Sequence, residues 1–323
     1  MEENQELFTE PKSRRSSSQK KRRTAPCRSG PMSRHNQGRI EKGISENRSK
    51  ILSMKAPFFT CLLILLISVG SYAEESVVSQ IPGVEEGATI ACRIYPPKTL
   101  PEGRTGLVIH LYGSGGSHRE GQFNIGRPPF DQFRQMLAER GYWLVVPELG
   151  PKHWMNDRAC LQVDAVIDEM VRAHPIDRKR VHFLGSSMGA GNSLIYIMRR
   201  PGKIRSVVAV FPMTDFRRWL EEQPRYRAVV EKAHSITDDT RDTALKNLSP
   251  LLHPEAFRDV PVFLLHGDRD PIVPPHHSRE FAAALEESGS KVVFREAADG
   301  VHNDEIARPF QRELVEFITG VDD

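Results

Sequence analysis

The pentapeptide Gly185-Ser186-Ser187-Met188-Gly189 constrains this chain more than any other stretch. The apolar run Val181-His182-Phe183-Leu184 precedes it, and a helix-compatible segment, residues 190–199, follows. The pattern predicts a strand, a sharp turn and a helix, with Ser187 at the tip. Glycines two before and two after that serine let strand and helix approach closely. The backbone N–H of Met188 then faces the space where negative charge would develop on a reacting carbonyl oxygen. Taken alone, the same five residues are also a glycine-rich turn that happens to hold a serine. The rest of the chain has to decide between the two.

Strand and helix patterns alternate from residue 88 onward. Strands are predicted at 88–95, 107–111, 142–147, 181–184, 206–211, 260–265 and 291–295. Helices are predicted at 130–140, 161–173, 190–199, 278–288 and 305–319. This alternation implies the α/β class, a mostly parallel sheet with helices on both faces. Residues 177–180 read as a charged turn leading into the strand before Ser187. Residues 214–250 break the rhythm and read as a small, partly helical cap inserted above the sheet. Within it, Arg217, Arg218, Glu221 and Glu222 read as a solvated face.

Three further loops bear on the serine. Strand 107–111 runs into Tyr112-Gly113-Ser114-Gly115-Gly116-Ser117. A phosphate cradle would need G-x-G-x-x-G, or a Lys-Ser/Thr pair after the glycines, and neither is present. The alternatives are a plain turn, or a loop whose backbone N–H, at Ser114, is a second donor to the oxyanion. Strand 260–265 ends in His266-Gly267-Asp268-Arg269-Asp270-Pro271-Ile272-Val273-Pro274, and loop 299–304 holds His302. Ser187, Asp270 and His302 thus each sit where a loop leaves the carboxyl end of a strand. A serine hydroxyl attacks poorly until a base takes its proton. His302 is the candidate base, and Asp270 is the candidate that fixes the imidazole tautomer and supports its charged form.

From about residue 88 to 320 the chain resembles the α/β-hydrolase superfamily. The resemblance rests on Gly-Ser-Ser-Met-Gly at 185–189, His-Gly-Asp-Arg-Asp-Pro-Ile-Val-Pro at 266–274 and Gly-Val-His at 300–302. Within that superfamily it is similar to exported esterases related to dienelactone hydrolases, and to the catalytic domain of prolyl oligopeptidases. The resemblance implies the triad Ser187, Asp270 and His302, with Asp268 a turn residue. It implies a serine hydrolase that cleaves a carboxylic ester, acyl or carbohydrate, through an acyl-enzyme. A prolyl oligopeptidase-like peptidase is the alternative, set second because only residues 74–87 precede the core in the expected mature chain. Acyl transfer, and a non-catalytic binding protein on the same fold, also stay open. Two positions depart from the pattern. Tyr112 stands where a His-Gly pair often opens the oxyanion loop, and Ala190 stands where a second glycine often follows the serine turn.

Charge divides the chain. Residues 1–55 carry 14 Lys/Arg against 6 Asp/Glu, whereas residues 74–323 carry 31 against 36. The globular part is therefore mildly acidic, which argues against a nucleic-acid partner. Residues 1–53 form a polar, basic extension with too little apolar content to fold. Met54-Lys55 is followed by the uncharged segment 56–73, which ends in Ser71-Tyr72-Ala73. That order predicts a signal peptide over 54–73, cleaved after Ala73, and a secreted or periplasmic protein with no stable membrane anchor. It also suggests that the true start is Met54. An anchor formed by 56–73 is the alternative. Export permits a disulfide between Cys92 and Cys160, although two separate buried thiols fit equally well. His153 and His276-His277 have no carboxylate or cysteine at ligand spacing, so they read as surface histidines. Neither a metal nor a cofactor is expected. Trp154 lines a pocket or simply packs.

Overall fold

The computed structural model describes residues 76–100, 102–119 and 128–322. The basic extension, the segment 54–73 and its cleavage site lie outside the described residues. The strands are β1 (Val77–Pro82), β2 (Thr89–Tyr95), β3 (Thr105–Leu111), β4 (Trp143–Pro147), β5 (Ile176–Ser186), β6 (Ser206–Val210), β7 (Val262–Gly267) and β8 (Val292–Ala297). The α-helices are α1 (Phe130–Glu139), α2 (Asp157–Ala173), α3 (Met188–Arg199), α4 (Phe216–Glu222), α5 (Arg227–Ala233), α6 (Arg241–Asn247), α7 (His276–Glu287) and α8 (Gln311–Gly320). One eight-stranded sheet runs in the order β1-β2-β4-β3-β5-β6-β7-β8. β2 is antiparallel to both of its neighbours, and the strands from β4 to β8 pair in parallel.

Strands β3, β4, β6 and β7 are buried along their whole length. A parallel strand covered by helices on both sides has to be apolar on both faces, which explains their unbroken Val, Ile and Leu runs. Successive residues alternate between two cores. Leu107, Ile109, Phe183, Val207 and Leu264 join α2, α3 and α7 on one face. Val108, Leu184, Val208, Phe263 and Leu265 join α1 and α8 on the other. Cys92 and Cys160 are both buried, free thiols within the first of these cores.

Several boundaries differ from the sequence expectation. Residues 177–180 are part of β5 and not a turn. The Thr105↔Ile176 pair precedes a register shift, so their charged side chains reach solvent beside the irregularity. α2 begins at Asp157, four residues early, because the Asn156 side chain accepts a hydrogen bond from the Ala159 N–H at 3.0 Å and caps it. The closing helix is split. Residues Asp304–Phe310 form a 3-10 turn containing Pro309, which has no N–H to give, and the α-helix starts only at Gln311.

The insertion after β6 folds into α4, α5 and α6. Its two ends are closed by the Ser249 hydroxyl, which accepts from the Phe216 N–H at 2.9 Å, and by the Leu251 N–H, which donates to Thr214 O at 2.9 Å. Trp154, Phe216, Trp219 and Tyr226 pack edge-on or stacked beneath it. Trp154 is 1 % exposed, so it is a core residue and lines no open pocket. The insertion rests on the loop after β7, where Trp219 Nε1 donates to Ile272 O at 3.0 Å and Gln223 Nε2 donates to Pro271 O at 2.9 Å.

Candidate active site

Ser187 has φ 52° and ψ −120°, a left-handed conformation that non-glycine residues avoid. The surroundings enforce it. The Ser187 N–H is tied to Val210 O at 3.0 Å, and α3 starts at the next residue. The glycines are required by contact. A Cβ on Gly185 would strike the Gly189 carbonyl, and one on Gly189 would strike the Leu111 carbonyl. The side chain of Ser187 therefore stands at the carboxyl edge of β5, where His302 meets it. His302 Nε2 lies 2.9 Å from Ser187 Oγ, and His302 Nδ1 lies 2.6 Å from Asp270 Oδ2. Phe211, itself at φ 41°, packs against the imidazole with ring centroids 4.3 Å apart.

Asp270 is held by its other oxygen. Oδ1 accepts the N–H groups of Ile272 at 2.8 Å and Val273 at 2.9 Å. Burial alone would raise this carboxyl. Hydrogen bonds from His266 and His302, the charge of His302 and the Val273 amide overcome burial and hold it well below the usual carboxylate range. It stays an anion that can orient Nδ1–H of His302 and balance an imidazolium. Asp268 makes no such contact. Its N–H donates to Ala297 O, and its side chain is not joined to His302.

The two proposed oxyanion donors lie beside the serine. Met188 is the first residue of α3, so its N–H has no partner within the helix. On the other side Gly113 passes so close to the turn that a Cβ there would sit 3.5 Å from Ser187 Cβ, and the exposed Ser114 follows it. Tyr112 points elsewhere. Its hydroxyl donates to Glu148 Oε1 at 3.1 Å and accepts the Leu149 N–H at 3.3 Å. Glu148 also meets His118 Nδ1 at 2.8 Å.

The sequence points to no role for His266 and to surface positions for His153, His276 and His277, yet His153 is buried at 8 % exposure. His266 is fully buried behind Asp270. Its Nε2 donates to Val273 O at 2.8 Å and lies 3.5 Å from Asp270 Oδ2, while Nδ1 meets the Ser278 hydroxyl at 2.6 Å. His277 is 1 % exposed. It and His276 both face Glu222 of α4, with Nε2 at 3.3 Å and 2.8 Å from the two carboxylate oxygens. No sequence spacing shows this, because Glu222 arrives from the insertion. The three residues are close enough together for a metal ion. His277 Nδ1, however, accepts the N–H groups of Thr214 and Asp215, so its proton is on Nε2, and an Nε2–H donor cannot ligate. Arg218 already pairs with Glu222 and Glu280, so the group is an ion cluster that fastens α4 to α7. A cavity of about 460 Å³ opens between the start of α2, the end of α3 and the insertion, lined by Asn156, Arg199, His234 and Asn247 among others. None of the Ser187, His302 and Asp270 side chains borders it.

No curated protein matches the sequence. Among solved structures, a Mycobacterium tuberculosis puromycin-hydrolyzing peptidase superposes with TM-score 0.64 at 18 % identity, over 77 % of this chain and 39 % of its own. A Pyrococcus horikoshii acylaminoacyl peptidase gives 0.61 at 16 %, over 76 % and 41 %. A putative dipeptidyl aminopeptidase IV from Bacteroides ovatus gives 0.59 at 14 %, over 76 % and 36 %. The chain spans about two-fifths of the length of these structures, and the likeness to them is one of fold. The sequence profile described as the prolyl oligopeptidase family matches residues 152–319, just over half of the chain and the part that carries all three loop residues. The chain therefore belongs to the prolyl oligopeptidase family of serine hydrolases, built on the α/β-hydrolase fold.

Proposed function

We propose that the chain hydrolyses acyl bonds through an acyl-enzyme on Ser187, with His302 as base and Asp270 orienting it. The observation that carries this is the unbroken run of contacts from Ser187 Oγ through both imidazole nitrogens to Asp270. Ser187 Oγ attacks the carbonyl carbon while its proton passes to His302 Nε2. The oxyanion sits between the backbone N–H groups of Met188 and Ser114. As the intermediate collapses, His302 returns that proton to the leaving group. A water then repeats the sequence and frees the acid and Ser187.

The scissile bond is a peptide-type amide. Support comes from family membership and from the neighbours, whose names describe a puromycin-hydrolyzing peptidase and an acylaminoacyl peptidase. Cleavage of carboxylic esters, acyl or carbohydrate, is the second reading, since an alkoxide leaves with less help from His302 than an amine does. The protein acts outside the cytoplasm, a reading that rests on segment 54–73. Among the described residues no helix is long and apolar enough to cross a membrane. The test is a panel of aminoacyl and acyl-aminoacyl p-nitroanilides beside p-nitrophenyl and carbohydrate esters, on the full chain and Ser187→Ala. Turnover of anilides that vanishes in the variant supports the peptidase reading. Turnover confined to esters moves the second reading to the front. Equal rates in both proteins discard Ser187, and a chain that binds but turns over nothing is a binding protein.

A further inference from the structure

The glycine loop after β3 runs from Tyr112 to His118. Both of those residues are buried, although Ser114 and Gly115 between them are exposed. The Gly116 N–H donates to Gly113 O at 3.0 Å and closes a four-residue turn, with Gly115 at φ 89°. That bond leaves the Ser114 N–H out of the turn's own closure. Gly116 lies on the Tyr112 side chain, so closely that a Cβ there would sit 2.7 Å from Tyr112 Cβ. The two ends of the loop then meet on one side chain. The Tyr112 hydroxyl donates to Glu148 Oε1 at 3.1 Å, and His118 Nδ1–H donates to Glu148 Oε2 at 2.8 Å. Glu148 directly follows β4, the strand beside β3, so it reaches the loop from the same edge of the sheet. The carboxylate is itself fixed, since Oε1 also accepts the Gly150 N–H at 3.1 Å. The Leu149 N–H donates to the Tyr112 hydroxyl at 3.3 Å, and Arg93 Nε donates to His118 O at 2.7 Å. A loop with glycine at 113, 115 and 116 has little stiffness of its own. What holds it is one carboxylate with an oxygen for each end.

We propose that Glu148 is a positioning residue of this site: it clips both ends of loop 112–118 and so sets the Ser114 N–H beside Ser187. This rests on the function proposed above, with Ser114 as one oxyanion donor. Glu148 touches no reacting atom, and no proton passes through it. Gly113 passes the serine turn at contact distance, a Cβ there lying 3.5 Å from Ser187 Cβ, so a shift of the loop moves the donor relative to the hydroxyl directly. A donor aimed where charge develops acts on the transition state far more than on bound substrate. Loosening the clip therefore lowers kcat and leaves KM in place. Burial would raise the Glu148 carboxyl, but hydrogen bonds from His118, Tyr112 and the Gly150 amide outweigh it and hold it below the usual carboxylate range. Glu148 thus meets both ends of the loop as an anion at neutral pH, which strengthens each hydrogen bond.

The experiment compares the full-length wild type with Glu148→Ala, Glu148→Gln, Tyr112→Phe and His118→Ala. kcat and KM are measured on the best-cleaved substrate of the panel above, and labelling of Ser187 is followed with a fluorophosphonate. Exchange of peptides covering residues 112–118 is read by hydrogen–deuterium mass spectrometry. Glu148→Ala cuts both ties. It should lower kcat by about 100-fold, the cost of a reacting geometry loosened by about an ångström, with KM within about twofold of wild type. Loop exchange should quicken in the same variant. Glutamine keeps an acceptor for Tyr112, and its NH₂ can donate to Nδ1 of the other His118 tautomer, so Glu148→Gln should recover most of the loss. A merely structural role predicts neither the split between kcat and KM nor that rescue. Unchanged kcat in Glu148→Ala, a change confined to KM, or Glu148→Gln as slow as Glu148→Ala would each overturn the proposal. If Glu148→Ala does not fold, Tyr112→Phe and His118→Ala each remove one tie, and wild-type kcat in both would overturn it. A wild-type chain that is not labelled at Ser187 would sink the proposed function instead, and loop exchange, which needs no turnover, would still decide whether Glu148 clips the loop.

Discussion

Asp270→Asn is the substitution whose consequence the hydrogen bonds determine most tightly. The asparagine amide has one acceptor and one donor end. Position Oδ1 accepts two backbone N–H groups, from Ile272 and Val273, so the amide oxygen must stay there. Turning the NH₂ toward them would set a donor against two donors. The NH₂ therefore faces His302 Nδ1, now 2.6 Å away as Asp270 Oδ2. Two donors cannot share that contact, so the imidazole moves its proton to Nε2 and presents a lone pair at Nδ1. Nε2, 2.9 Å from Ser187 Oγ, then can no longer accept the serine proton. The loss expected for a triad locked in the wrong tautomer is about 10⁴-fold in kcat, or about 5.4 kcal/mol of transition-state stabilisation. The assay is kcat/KM on the best substrate of the panel, together with the fluorophosphonate labelling rate. Asp268→Asn is the control and should stay within about threefold, because Asp268 does not touch the imidazole. A variant at Asp270 that kept activity within tenfold of wild type would refute the tautomer argument. So would Asp268→Asn proving the more damaging change.

Gly189→Ala should cost about 3 kcal/mol or more, because its Cβ meets backbone at Leu111 that cannot swing aside. Gly320→Ala, with nothing within 4 Å, is the near-neutral comparison in the same thermal melts. Asp304 has a carboxyl raised from 3.8 to about 6, so the folded chain holds that proton more tightly than the unfolded one. The stabilisation it gives is complete below about pH 4 and lost as pH rises through 6. Asp304→Asn should thus gain on wild type by up to about 3 kcal/mol above pH 7 and show no gain at pH 4, in urea unfolding. Deleting residues 321–323 should destabilise by about 2 kcal/mol, since it strips one hydrogen-bond partner each from buried His182 and Tyr142. The folded fraction should still be labelled at Ser187. N-terminal sequencing of exported protein should read from Glu74, and retention of residues 1–73 in a membrane fraction would contradict that.

What could be read from the sequence is what local chemistry encodes. The serine turn needs glycine at 185 and 189 for contact, so its pattern is nearly forced by the geometry it serves. Asp270 and His302 lie in the loops that leave β7 and β8, and so their edge of the sheet follows. The missed features are those that depend on partners from elsewhere. β1 is half-exposed and has no clean alternation, so Val77–Pro82 shows as a strand only through its pairing with β2. Glu222 reaches His276 and His277 from an inserted helix. His266 shows no role within its motif, because only burial behind Asp270 gives it one.

A second serine, histidine and aspartate on the same chain shows what residue identity alone leaves out. Ser206 Oγ lies 2.8 Å from His182 Nδ1, and His182 Nε2 lies 3.1 Å from Asp322 Oδ2. The residue types and the order of contacts match those at Ser187, with the two ring nitrogens exchanged. Here, however, Ser206 opens β6, on the amino edge of the sheet, where no strand delivers a loop for a ligand. All three side chains are buried, at 0 %, 0 % and 2 % exposure. Asp322 Oδ2 also accepts from the Tyr142 hydroxyl at 2.5 Å, and the Asp322 carbonyl accepts from Arg180. Burial lowers the His182 pKa, and the pairing with Asp322 only partly opposes it. A neutral imidazole bonded on both sides in a dry interior joins the end of the chain to β5 and has no room for an acyl group. Ser187 differs in three respects that chemistry requires: a strained backbone that lifts the hydroxyl off the sheet, a helix N-terminus at the next residue, and a histidine still 18 % open on its side chain. Those three, more than the identity of the triad, separate a reacting serine from a structural one, and they are why the same hydrogen-bond pattern is assigned chemistry at one edge of this sheet and stability at the other.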